Sequence, residues 1–262
     1  MATRSANYES PLDHLLTLGP PGGVEGPWRD EAFDDYGAMG IGIEHVPELR
    51  RMAFDQALGL KDLPDCYGPV HAARALGWLH PSEIIDDLIE LTRRLDRHDD
   101  DMWLEDMPGL FVRFGGSAID PLARVAGDNR EKFGARLFFI DGLERIATEH
   151  PDARDRVVAT LTSLLKYAKY NDSGINGHIV DAMIILNATE ALPEIRSAFA
   201  NGFVNETVCG PLEEVEKLIF LSREEQSEHH RSEVEKQEAE LENLSPQEAI
   251  KKVFQRMEKY TK

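Results

Sequence analysis

Five apolar triplets recur along this chain, and their spacing restricts the fold more than any other feature. Leu79, Ile85 and Leu88 have gaps of six and three residues. Ile43, Leu49 and Met52 repeat those gaps starting 36 residues earlier, and Leu186, Leu192 and Ile195 repeat them starting 107 residues later, close to three periods. Between them lie Phe114, Ile119 and Leu122, and then Ile146, Val158 and Leu161, the last set with a short insertion. The triplets straddle breaks at Leu79-His80-Pro81-Ser82, Phe114-Gly115-Gly116-Ser117, His150-Pro151-Asp152 and Asn187-Ala188-Thr189. A break inside a unit of about 36 residues predicts two helices joined by a tight turn, repeated about five times. The gap of three after each break is the inward stripe of the second helix.

Such a hairpin cannot bury its apolar face alone, so neighbours must stack and share a core. No convincing alternation of apolar and polar residues competes with the helical spacing. The expected class is therefore all-α, an α-solenoid of about five helical hairpins. Pro81 and Pro151 suit first-turn positions. Asp172 or Ser173 can cap the helix carrying Ile179 and Met183. The Trp, Gly-Tyr and closing Pro pattern of tetratricopeptide repeats is missing, as is the Thr-Pro-Leu-His signature of ankyrin repeats, which leaves HEAT-type repeats as the nearest template.

Several phrases carry a more specific likeness: Tyr8-Glu9-Ser10-Pro11-Leu12, Glu44-His45-Val46-Pro47-Glu48-Leu49, Pro69-Val70-His71-Ala72-Ala73-Arg74-Ala75-Leu76-Gly77 and His150-Pro151-Asp152-Ala153-Arg154-Asp155. Over roughly residues 8 to 221 the chain resembles a bacterial HEAT-like family with phycobilisome-lyase-type repeats and no established activity. The resemblance implies an α-solenoid with a protein-interaction role, and it supplies no catalytic residues. Some such proteins end in a cysteine-rich zinc motif. Here no cysteine follows Cys209, so no zinc tail is expected.

The predicted organisation is an N-terminal arm and loop over 1–29, a HEAT-like solenoid over 30–221 and a charged helical tail over 222–262. Residues 222–242 hold three basic and eight acidic side chains, and 222–233 contain no apolar residue. Ser245-Pro246-Gln247-Glu248 then reads as a capping box with proline at the first helical position. Behind it Ile250, Val253, Phe254, Met257 and Tyr260 share one face. That helix is expected either to cover an open end of the repeat array or to dock on a partner through Phe254 and Met257.

Charge sorts the remaining functions. Lys and Arg number 29 against 48 Asp and Glu, a formal charge of −19. Nucleic-acid binding needs the opposite sign, and so does attraction to anionic lipid. No apolar run is long enough to span a bilayer, and a cytoplasmic location is expected. A di-iron hydroxylase on a HEAT-like scaffold would need His-Glu dipeptides, and there are none. His98-Asp99-Asp100-Asp101, followed by Trp103, Glu105 and Asp106, lacks the spacing of a calcium loop and reads as an acidic helix cap. Glu225, His229 and Glu233 read as a solvated helix face rather than a zinc site. Gly115-Gly116-Ser117 reads as an inter-helix turn rather than a phosphate cradle. Cys66 and Cys209 lack the basic neighbours of a reactive thiol.

No catalytic constellation, metal or cofactor is therefore expected. The favoured reading is a scaffold or adaptor that binds a protein with a basic surface on an acidic concave face, through Asp86, Asp87, Glu90 and Arg94. One alternative is an accessory factor or lyase of the phycobilin-lyase type, acting on a tetrapyrrole-bearing protein. The other is a homodimer, a second copy being held through the C-terminal helix.

Overall fold

The computed structural model describes residues 8–21, 35–98 and 104–242. Phe254 and Met257 lie outside the described residues. Among the described residues there are thirteen α-helices and no strand. The chain divides into two units, Met1–Ala153 and Arg154–Lys262.

The first unit holds α1 (Val46–Ala53), α2 (Gln56–Gly59), α3 (Gly68–Leu79), α4 (Ile85–Arg97), α5 (Met107–Val112), α6 (Ile119–Ala126) and α7 (Phe133–Glu149). Here α3 packs on α1 and α5, α7 packs on α5 and α6, and α4 touches α5, α6 and α7. The second unit holds α8 (Arg154–Leu165), α9 (Ser173–Ile185), α10 (Leu192–Ala200), α11 (Glu206–Cys209), α12 (Leu212–Leu218) and α13 (Arg223–Glu242). Its α9 packs on α8, α11 and α12, and its α10 packs on α8 and α12.

Local chemistry explains where helices start. Proline occupies the first turn of α1, α3, α5 and α10, where its missing N–H costs nothing. Asp172 caps α9, its carboxylate accepting from the Gly174 N–H at 2.8 Å. Pro81 instead stands extended just before a short 3-10 turn, Ser82–Ile84, that leads into α4. Pro151 opens the equivalent turn, Pro151–Ala153.

The sequence breaks become one recurring device. At His80 (φ 40°), Gly115 (φ 51°) and Asn187 (φ 50°) the chain enters the left-handed region, and a 3-10 turn follows into the next helix. Glycine at 115 meets that conformation without Cβ strain. His150, at φ −122°, does the same job without a positive φ. These breaks stand 35, 35 and 37 residues apart. Thirteen of the fifteen triplet residues are buried, which confirms the stripe as core. The exceptions are Ile43, 59% exposed, and the half-buried Leu79.

Polar side chains link residues one period apart. The His150 ring bonds the Val112 carbonyl at 2.8 Å, in the first unit. In the second, Arg154 donates to the carbonyls of Leu186 and Asn187, at 2.9 Å each. Ion pairs join Arg50 to Asp87, Arg124 to Asp86, Arg93 to Glu131 and Arg154 to Glu190. The separations are 37, 38, 38 and 36 residues. Opposite charges therefore recur about one period apart within each unit.

Candidate functional site

Helix α4 carries the four polar residues singled out from the sequence. Asp86 and Asp87 lie in its first turn, where a carboxylate complements the helix dipole. The structure gives every one of the three acids an arginine. Asp86, with its side chain 79% exposed, accepts from Arg124 at 2.8 Å. Asp87, only 17% exposed, pairs with Arg50. Glu90 accepts from Arg97 at 2.9 Å and from Arg93 at 3.4 Å. Burial works against ionising Glu90, but the guanidinium of Arg97, then that of Arg93, outweighs it and holds the carboxyl below its usual range. Asp86 and Asp87 thus act first as clasps to neighbouring helices, Glu90 is paired within α4, and the field of all three is partly neutralised at source.

Arg94 is different. It leaves the acidic face and lines a cleft of about 570 Å³ in the first unit. Leu91, Leu95, Val70, Ala73, Met107 and Leu110 supply the apolar wall, from α3, α4 and α5. Leu60, 88% exposed, stands at the rim. The guanidinium donates one N–H to the Phe54 carbonyl at 2.8 Å and stacks 5.7 Å from the Phe54 ring centroid. Among the described residues Arg94 has no carboxylate partner.

The anions on the cleft wall are already engaged. Asp106 accepts two hydrogen bonds from Arg74, each 2.8 Å, in a pair whose side chains are 8% and 1% exposed. Asp55 accepts from the Tyr8 hydroxyl at 2.9 Å and from the Leu58 N–H at 3.1 Å. Burial, reinforced by that carboxylate, raises the Tyr8 phenol well above its usual pKa, so it stays a donor. Beside Arg94, the Gln56 amide donates to the His98 ring at 3.3 Å. Among the described residues, then, Arg94 brings the cleft a cation that no carboxylate holds.

Other readings resolve simply. Gly115–Ser117 is a turn between helices, with the Ser117 hydroxyl donating to the Phe114 carbonyl at 2.6 Å. His71 is buried between the Tyr36 hydroxyl and the Gly19 carbonyl. Glu225 accepts from the Ser222 N–H at 2.7 Å, so Ser222-Arg223-Glu224-Glu225 is a capping box at the head of α13. That spacing was readable in the sequence. Gln226, one residue on, donates to the carbonyls of Ile184, Leu218 and Leu221 and ties this otherwise polar helix to the second unit. Among the described residues no group of three His, Cys, Asp or Glu side chains is placed to hold a metal ion, and no helix is long and apolar enough to cross a membrane. Asp99 to Trp103 of the acidic cluster lie outside the described residues.

The site therefore belongs to an all-helical protein with an arginine-marked apolar cleft in its first unit. No family model, curated protein or solved structure matches the chain.

Proposed function

We propose that the chain is a cytoplasmic scaffold of stacked HEAT-like hairpins that binds a partner protein with a basic surface along α4. The observation that carries this reading is the one-period register of turns and ion pairs. Hairpins clasped in that way stack with their second helices side by side, which creates an extended recognition surface rather than a reaction centre. The chain's net charge of −19 sets the sign of the partner. Asp86 and Glu90 are the exposed acids through which α4 would meet it. Asp87 is half-buried against Arg50 and serves the fold.

The test is affinity capture from native lysate at about 0.05 M and about 0.3 M salt, where screening of exposed charge differs strongly. The doubly substituted Asp86→Lys/Glu90→Lys chain is run alongside. One dominant basic protein, retained at low salt and lost with the variant, is the expected result. Equal capture by the variant, with its helical circular dichroism intact, would remove α4 as the surface. Recovery of the chain with itself alone would replace the partner by a second copy.

A further inference from the structure

We propose that the cleft between α3, α4 and α5 binds a small amphipathic carboxylate, with its apolar body among Leu91, Met107 and Leu110 and its head on the Arg94 guanidinium. This does not rest on the scaffold reading, which concerns the opposite charge and the exposed acids of α4.

Three observations carry it. At about 570 Å³ the cleft falls within the size range of small-molecule sites, and most of its lining is apolar. The same helix holds Arg93 and Arg97 on carboxylates, whereas among the described residues Arg94 meets the Phe54 carbonyl and ring and no carboxylate. The aspartates on the wall have other partners, Asp106 the Arg74 guanidinium and Asp55 the Tyr8 hydroxyl and a backbone N–H, and neither makes an ion pair with Arg94. A guanidinium with one N–H committed keeps a fork of donors free, and a carboxylate is the group that fork fits two-pronged. A phosphate dianion would need more than one cation, and among the described lining residues Arg94 is the sole Lys or Arg. The apolar body supplies most of the affinity, while Arg94 selects the head.

The decisive experiment uses the whole chain labelled with ¹³C at its methionine methyls and titrated with octanoate and with octanamide, which share a body and differ in charge. Met107, 2% exposed, lines the cleft. Met52 and Met183 are as deeply buried but do not line it. The Met107 signal, assigned through Met107→Leu, should move saturably while those of Met52 and Met183 stay still. Octanoate should bind at least tenfold more tightly than octanamide, as a charge-assisted pair requires. From hexanoate to octanoate, each added methylene should tighten binding about fourfold. Arg94→Gln should bring octanoate down to the level of octanamide. An unmoved Met107 signal, equal binding of acid and amide, or discrimination that survives in a folded Arg94→Gln chain would each overturn the proposal. The acid–amide comparison needs no substitution, so it decides even if the variant does not fold.

Discussion

The two units solve one problem with different chemistry. In both, helices must be pinned to one another by polar side chains that reach into apolar surroundings. In the first unit the buried pins are charged or titratable: Arg74 on Asp106, Arg136 on the Ala126 carbonyl, and His71 between Tyr36 and Gly19. In the second they are amides. Asn176, fully buried, donates to the carbonyls of Ala168 and Phe203 and accepts from Asn171. Asn187 donates to Ile219 and Leu221. An amide satisfies two carbonyls without needing a counter-charge, so helices can close tightly on it. At Gly177 a Cβ would stand 2.8 Å from Val208, which shows how near α9 and α11 approach. A buried ion pair must instead recover its desolvation cost through geometry, and it fails sharply when one partner is lost.

That contrast predicts the largest effect in the molecule. Asp106→Asn takes away the carboxylate charge that accepts the two Arg74 bonds while the guanidinium stays buried, and should cost about 3–5 kcal/mol. Trp28, Trp78 and Trp103 all belong to the first unit, so tryptophan fluorescence during urea unfolding reads that unit alone. Replacing the pair together, Arg74→Met with Asp106→Leu, should restore most of the loss. A cost below about 1 kcal/mol for Asp106→Asn would mean the pair does not hold the first unit.

Each unit also carries one cysteine, and these should differ next most. Burial, with Asp181 adding to it, pushes the Cys209 thiol up to about 12. Cys66 sits half-buried on the turn before α3. Alkylation of the native chain at pH 8 should therefore modify Cys66 at least about a hundredfold faster than Cys209, because the thiolate is the reacting form. The sign of the linkage follows. The unfolded thiol ionises first, so its contribution to the second unit is complete below about pH 8.5. It is lost progressively as pH climbs toward about 12.

A smaller effect separates two residues that share a conformation. Asn187 at φ 50° and His80 at φ 40° both bear the cost of the left-handed region. Asn187 offsets it with two carbonyl contacts, whereas His80 is exposed and, among the described residues, its ring meets just the nearby Trp78 carbonyl. Asn187→Gly should destabilise by about 1–2 kcal/mol, and Asn187→Ala by about 1 kcal/mol more. His80→Gly should be neutral or stabilising by up to about 1 kcal/mol. Urea unfolding, followed by Cys209 exposure for the second unit and tryptophan fluorescence for the first, measures the opposite signs.

How far these features were legible in the sequence depends on their range. Helices and breaks were readable because the triplets and the Gly, Pro and Asn residues between them act locally. Ile43 misled because its spacing matches the stripe while the structure leaves its side chain 59% exposed. Asp86, Asp87 and Glu90 could be placed on α4, yet spacing along one helix does not reveal that Arg124 and Arg50 neutralise two of them. A search for opposite charges one period apart would have found those pairs. The cleft had no such signal. It is a space left by several helices, and Arg94 looked like its neighbours until the structure showed which arginines had carboxylates.

The smallest expected effect compares one-period ion pairs, one from each unit. Asp86 and Arg124 are exposed, with side chains 79% and 66% accessible, so water and salt compete for both charges. Asp86→Ala should change the stability of the first unit by no more than about 0.5 kcal/mol, and less in about 0.5 M salt. Glu190 of the second unit is half exposed. Burial opposes its ionisation, but Arg154 and a backbone N–H outweigh that and depress its pKa. A depressed carboxylate contributes above its ordinary pKa of about 4.3 and loses that contribution as pH falls through the lower folded value. Glu190→Ala should therefore cost up to about 1 kcal/mol at pH 7 and nothing once the native carboxyl is protonated. Arg154 keeps its bonds to Leu186 and Asn187 in that variant, so the turn it braces should hold. If instead Glu190→Ala collapses the second unit at neutral pH, charge rather than amide bonding pins both units, and the contrast between them fails.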